Sequence, residues 1–461
     1  MVLHIIFIII YLALGNIFDA GAIAIDAALV VHCVLGILVE FNKAKNFITP
    51  IFILYIAVII ASIGNAEVQL KMASIDFRLG RYLVTRHIDE AVNIMAIGSA
   101  FMFIGFQMFS KKQYLPSIKY EISHDTANKL FYYVLFLAVF NELILTLLYS
   151  LGSIARVVQV LGIIGILFYS RLGAAENSRR FLTYGVILGI VQTINSLYHS
   201  FLRAELILPS VIFFVGYFVG KGHIKFVFSY RVIPAVLLFG IFFTIFGILG
   251  KNRARGEKGN VTFINIIEKK YFDDKEEAVD VFAEKEENQG VLERSSNLVQ
   301  LTNAINLTKL HGFYDGAVSA PLLVALIPRV FWPDKPQIVI GQWFAGSIGM
   351  GEDLGGGRSS NSINITIPGE GYVDFGWFGV ILLCTLYGCI LSLFWNAVEF
   401  YSGATNIIGI LFGGFIFTVV LNIGADLQIV ITLFSNYLIM LVVTRVLKLY
   451  FNRGNEVTTT T

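Results

Sequence analysis

Apolar runs of about twenty residues recur along this 461-residue chain, and twenty residues of helix cross a hydrocarbon core. A large soluble core would instead need shorter apolar runs separated by polar loops. Charge points the same way. Charged residues make up 14% of the chain and hydrophobic residues 56%, whereas about a quarter of a soluble globular chain is charged. So few charges cannot cover a water-facing surface of this size. The sequence predicts an all-α, polytopic membrane protein. A net charge of +2 argues against a nucleic-acid partner.

The predicted spans are 2–17, 20–39, 49–66, 90–110, 130–150, 155–172, 181–199, 204–220, 230–250, 371–395, 404–423 and 425–447, about twelve by length. The first has no basic region before it and no small-residue cleavage site, so it reads as a retained span and not a removed leader. Cys33, Cys384 and Cys389 fall inside apolar runs and read as small packing residues.

Lys and Arg in short loops set the orientation. Every second connection is basic: Lys43 and Lys45; Lys111, Lys112, Lys119 and Lys129; Arg171, Arg179 and Arg180; Lys221, Lys225 and Arg231; then Arg445, Lys448 and Arg453 in the tail. The connections near Asp19, Gly152 and Asp426 carry few or none. Both termini are therefore expected in the cytoplasm. The 64–89 connection departs from the pattern, with Arg78, Arg81 and Arg86 among Glu67, Asp76 and Asp89. It is expected to lie amphipathically at the interface.

The predicted organisation is nine spans over 1–250, one large outer loop over 251–370, three spans over 371–450 and a cytoplasmic tail over 451–461. A loop of about 120 residues is far longer than ordinary connections, and such loops are functional or disordered. Within it, 273–288 reads as a charged, solvated helix, and 297–310 as an amphipathic one. Pro321 to Val330 is apolar but too short to cross, and is expected to lie in the interface or re-enter. No repeat of fixed period and no pair of matched halves stands out, which weighs against a secondary transporter.

No Walker loop, zinc-ligand cluster or nucleophile elbow is present. Gly346 to Gly351 is no dinucleotide fingerprint, since no strand precedes it. Three outer-loop segments carry the chemistry. One is Leu292 to Asn297, with Arg294. The second is Pro328 to Pro336, where three prolines stiffen the chain and Arg329, Asp334 and Lys335 sit beside Phe331 and Trp332. These cations read as interfacial anchors or as a clamp on a lipid-borne phosphate. The third is Gly355 to Ser360. There Gly356 and Gly357 let backbone N–H groups turn to one anion, Arg358 offers a planar fork, and Ser359 adds a hydroxyl. The ordinary alternative is a flexible glycine-rich loop.

Glu370 and Asp374 flank the point where the chain re-enters the membrane, where an unpaired carboxylate is costly. Their spacing of four puts them on one face if the helix has already begun there, and Glu370, between two glycines and expected nearer to water and to the glycine-rich loop, is the favoured proton acceptor. His311 is a second candidate base, because an imidazole side chain can take up a proton in the physiological range.

The stretch 327–336, then the Gly-Gly-Arg ending at Arg358, then Gly-Glu-Gly-Tyr-Val-Asp-Phe-Gly-Trp-Phe-Gly from Gly369 to Gly379, resembles the O-antigen and oligosaccharide repeat-unit polymerases of the Wzy type. A dozen spans with one long outer loop in the second half is similar too. The resemblance implies a fold like that of the C-type membrane glycosyltransferases, in a bacterial inner membrane. It implies undecaprenyl-diphosphate-linked oligosaccharides as donor and acceptor, a polysaccharide chain-length regulator as a partner, and essential arginines at Arg294, Arg329 and Arg358. The implied reaction breaks the sugar C1–O bond to diphosphate while an acceptor hydroxyl attacks, with fixed Arg and backbone donors stabilising the leaving charge. It calls for neither metal nor nucleotide cofactor. Two rivals stand beside it. An O-antigen ligase shares the donor, but its outer-loop His motif is not clearly present. A lipid-linked oligosaccharide flippase should carry charges inside its spans and short loops throughout.

Overall fold

A computed structural model describes residues 2–17, 21–42, 46, 48–72, 78–79, 82–83, 87–140, 152–199, 203–222, 296–321, 332, 339–355, 358–421 and 427–457. Among these the chain is predominantly helical. The first helices are α1 (Val2–Ile17), α2 (Ala22–Phe41), α3 (Pro50–Met72) and α4 (Ile88–Phe109), with strands β1 (Arg78–Leu79) and β2 (Tyr82–Leu83) between α3 and α4. Then come α5 (His124–Val139), α6 (Gly152–Glu176), α7 (Arg179–His199) and α8 (Arg203–Lys221). The second half holds α9 (Leu298–His311), α10 (Ile340–Ser347), strands β3 (Asp353–Gly355) and β4 (Arg358–Ser359), α11 (Ile367–Val398), α12 (Ile407–Leu421) and α13 (Gln428–Val457).

Among the described residues five helices are long and apolar enough to cross a membrane: Ala22–Phe41, Pro50–Leu70, Ile88–Phe109, Ile367–Val398 and Thr432–Leu449. Their surfaces are the reverse of a soluble protein's. In α2, Asp26, His32 and Glu40 are buried while Val31, Val34, Leu35 and Leu38 face outward. In α13, Thr444 is buried while Ile439, Val442 and Leu449 are exposed. Apolar surface of this extent has lipid as its natural solvent. The chain is a helical membrane protein.

Several boundaries differ from the sequence-based expectation. Helix α3 runs six residues past the predicted end at 66, to Met72. Part of the connection expected to lie along the interface is a two-stranded antiparallel pair, with Arg78 opposite Leu83 and Leu79 opposite Tyr82. Helix α5 covers the first part of the predicted 130–150 span, and the predicted span 230–250 lies outside the described residues. So does the charged stretch 273–288.

Helices α4 and α11 form the centre of the bundle, and their contact explains two glycines. A Cβ on Gly388 of α11 would stand 2.7 Å from the Phe106 amide nitrogen, and one on Gly105 of α4 would strike the Thr385 carbonyl. Small residues at such crossings let helix backbones touch, which is how helices gain packing energy in lipid.

At the opposite end from the tail, where α4 begins and α11 starts, a second small core forms outside the main one. Ala304 and Leu307 of α9, Val318, Ile340, Phe344 and Ile348 of α10 and its cap, Ile365, and Val373 of α11 pack together. This corrects the amphipathic reading of 297–310. Helix α9 is buried nearly all round from Leu298 to Thr308, because α4 and α11 cover one side and the second core covers the other.

Candidate functional site

The glycine-rich motif from Gly369 to Gly379 is a broken helix. Thr366 caps its start, accepting a hydrogen bond from the Gly369 amide (3.1 Å), and Pro368 occupies the first turn. Thr366 itself has φ 70°, an unusual value for a β-branched residue and a mark of local strain. After two turns the helix stops at Phe375 and Gly376. Gly376 has φ 60° and ψ −144°, a conformation open to glycine alone. The chain folds so sharply there that Gly371 and Gly379 meet backbone to backbone. A Cβ on Gly371 would lie 2.5 Å from the Gly379 carbonyl oxygen. One helix predicted from 371 is therefore a short half-helix, 367–374, followed by a long span.

The break is locked to the segment His311 to Ala320. Val373 and Asp374, at the end of the half-helix, offer carbonyls that accept from the amides of Tyr314 (3.0 Å) and Asp315 (3.0 Å). The Asp374 carboxylate in turn accepts from the amides of Val318 (3.0 Å) and Ser319 (2.8 Å) and from the Ser319 hydroxyl. Each segment caps the other. Their aromatics interlock as well: a Cβ on Gly376 would meet the Phe313 ring at 3.0 Å, and one on Gly316 would meet the Phe375 ring at 2.9 Å. Two distant motifs thus form one rigid unit, with Asp315 (φ 50°) and His311 exposed on it. A third tie comes from α4, where Glu90 accepts from Lys309 (2.7 Å) and Tyr372 (2.5 Å).

Glu370 and Asp374 both have 0% exposure. The expectation that Glu370 sits nearer water is corrected: one of its oxygens accepts the Leu427 amide at 2.9 Å, tying the half-helix to the connection before α13. Asp374, on the same half-helix, faces the Val318–Ser319 turn.

The strands on either side of Gly356 and Gly357, β3 and β4, pair antiparallel, with Gly355 opposite Arg358. Ser359 is buried, donates to the Met350 carbonyl and accepts from the Asn361 amide, so its hydroxyl is engaged within the hairpin. Arg358 lies on β4. Arg294, Arg329, Asp334, Lys335, Gly356 and Gly357 lie outside the described residues. Among the described residues no group of three or more His, Cys, Asp or Glu has the arrangement of a metal site.

Sequence reasoning missed a polar cluster inside the first helices. Asp26 of α2 accepts from Gln69 (2.7 Å) and Asn65 (3.4 Å) of α3, and Asn65 accepts from the Ser296 hydroxyl (2.7 Å) just before α9. Nearby, His4, His32 and Tyr55 are linked at 3.0 and 3.3 Å. The signal was available: Asp26 and His32 interrupt an apolar run, and a polar group in a span seldom lacks a partner. A small cavity adjoins the cluster, lined by Met95, Ser99, Met102, Asn297, Thr366 and Pro368, among others.

The profile of one protein family, described as a domain of unknown function (DUF8712), matches residues 56–451 of this chain. No curated protein and no solved structure matches it.

Proposed function

We propose that this chain, which belongs to that family, is a membrane glycosyltransferase of the polymerising kind, joining lipid-diphosphate-linked oligosaccharide repeat units at the outer face of a bacterial inner membrane. The single observation that carries the reading is the broken helix 367–379 interlocked with 311–320. Non-helical backbone at a membrane boundary is tolerated where it is buried in protein or lines a site. Here the broken helix contains Gly369 to Gly379, one of the segments whose residues resemble the repeat-unit polymerases. The remaining architecture of that reading, about twelve spans with one large outer loop and a fold like that of the C-type glycosyltransferases, belongs to the same proposal.

In this mechanism the acceptor hydroxyl attacks the donor sugar at C1 as the C1–O bond to diphosphate breaks, and the diphosphate leaves with the electron pair. Arg294, Arg329 and Arg358 stabilise the charge that gathers on it. The acceptor's proton passes to an exposed group on the rigid unit, His311 or Asp315, and then to water. Glu370 and Asp374 hold that unit in place. The substrate energy resides in the diphosphate, and the proposed partners are the lipid-linked glycans, the bilayer and a chain-length regulator.

One observation favours a second reading. Asp26 and Glu40 are ionisable groups buried within a span, as expected of a flippase for lipid-linked oligosaccharides. The glycan ladder of a deletion strain separates the alternatives. Loss of a polymerase leaves a single repeat on the core, loss of a ligase leaves none there, and loss of a flippase blocks export. A deletion strain with a full ladder would remove the proposed function altogether.

A further inference from the structure

We propose that Asp26 is a positioning residue that latches the outer helix α9 to the transmembrane bundle through Asn65 and Ser296; the catalytic consequence rests on the glycosyltransferase reading above. The Asp26 carboxylate has 2% exposure, and its hydrogen-bond partners among the described residues are the neutral amides of Asn65 and Gln69. An ionisable group so deep in a span is costly, and its retention calls for a role.

The geometry supplies one. An amide side chain donates through nitrogen and accepts through oxygen. By accepting from the Asn65 nitrogen, Asp26 fixes which way the amide faces and presents the Asn65 oxygen to the Ser296 hydroxyl, 2.7 Å away. Ser296 is thereby held so that its oxygen accepts the Leu298 amide at 3.2 Å, at the first residue of α9. The same Asn65 nitrogen lies 3.1 Å from the Met95 sulfur of α4. Asn65 therefore touches Met95, on one wall of the small cavity, and Ser296, which neighbours Asn297 on another.

The far end of α9 carries His311 and leads into the segment that caps the broken helix. A fourteen-residue helix acts as a lever, so a shift at Ser296 moves the exposed His311 and Asp315. Arg294 precedes Ser296 by two residues, so the latch also stands next in sequence to one of the proposed diphosphate clamps. Functional groups need this kind of supporting layer, since a misplacement of about 1 Å costs on the order of 100-fold in rate.

The test uses the full chain in detergent, with wild type, Asp26→Asn, Ser296→Ala, Ser296→Thr and the Asp26→Asn/Ser296→Ala double variant. Two readouts are taken: hydrogen exchange of the α9 amides, and extension of a lipid-linked repeat unit with kcat and KM separated. We expect Asp26→Asn and Ser296→Ala each to deprotect the same amides at the start of α9. Each should lower kcat by about tenfold to 100-fold at unchanged KM, while Ser296→Thr keeps the hydroxyl and restores both readouts. Because both act through Asn65, the double variant should lose no more than the worse single one. Unchanged α9 protection in Asp26→Asn, or losses that multiply in the double variant, would overturn the latch. If Asp26→Asn does not fold, Ser296→Ala and Ser296→Thr decide by the same exchange pattern. Exchange decides the latch whatever the activity, so a wild-type protein that does not extend glycan counts against the enzyme reading and not against the latch.

Discussion

Asp374 accepts two hydrogen bonds from Ser319, one from its amide at 2.8 Å and one from its hydroxyl, across 55 residues of sequence. With the Val318 amide, three donors converge on a fully buried carboxylate. Hydrogen bonds to a charged group contribute about 1.5–3 kcal/mol each, and a buried donor left unmade costs about as much. Asp374→Asn should therefore lower the thermal unfolding temperature in detergent, because the new NH2 faces donors. Asp374→Glu should not restore it, since the longer side chain does not fit the same cap. An unfolding temperature within error of wild type for Asp374→Asn would detach the two motifs from one another.

Gly376 is tested by contrast with Gly21. Gly376→Ala adds a Cβ at φ 60° and 3.0 Å from the Phe313 ring, whereas Gly21 has nothing within 4 Å. The first should destabilise by about 1–3 kcal/mol, read as loss of monodisperse protein or a lower unfolding temperature. Gly21→Ala should behave as wild type. Equal behaviour of the two would mean the helix break is not needed for folding.

The roles of His311 and Glu370 separate in the same extension assay. His311→Ala should bind the lipid-linked repeat but extend it poorly, with Asp315→Asn as the companion variant. Glu370→Ala should lose folded yield, because its oxygen holds the Leu427 amide, whereas Glu370→Gln keeps an acceptor oxygen and should fold. Well-folded Glu370→Gln that binds but does not extend would return Glu370 to the place of base.

Arginine is expected to be needed for its shape as well as its charge. Replacing Arg294, Arg329 or Arg358 by Ala should abolish chain extension at unchanged protein level. Replacement by Lys should rescue poorly, since a point charge cannot bind two phosphate oxygens as a planar fork does. Wild-type glycan ladders from the Ala variants would show that these cations only anchor the chain.

Topology is checked independently of chemistry. Reporter fusions after Lys258 should read outside and fusions after Arg453 inside. An inside result for Lys258 would put the broken helix on the wrong face for lipid-linked glycans delivered from the outer leaflet.

Hydropathy is a property each residue carries with it, so the helical membrane character of this chain, and the near position of most helices, followed from the order of residues alone. The sequence also drew notice to Glu370 and Asp374, because carboxylates beside an apolar run are costly unless paired. Which atoms they meet did not follow. The spacing of Glu370 and Asp374 put both on one half-helix, yet their partners, Leu427 and Ser319, lie 57 and 55 residues away and were chosen by how the chain crosses itself. The fold at Gly376 needed a backbone conformation that the residue permits but does not impose. The burial of α9 from Leu298 to Thr308, and the line from Asp26 through Asn65 to Ser296, arose only when helices far apart in sequence closed on one another. Local sequence fixes the transfer free energy of a segment. The partner of a buried polar group is fixed by long-range packing, and that is where tertiary structure decided the site.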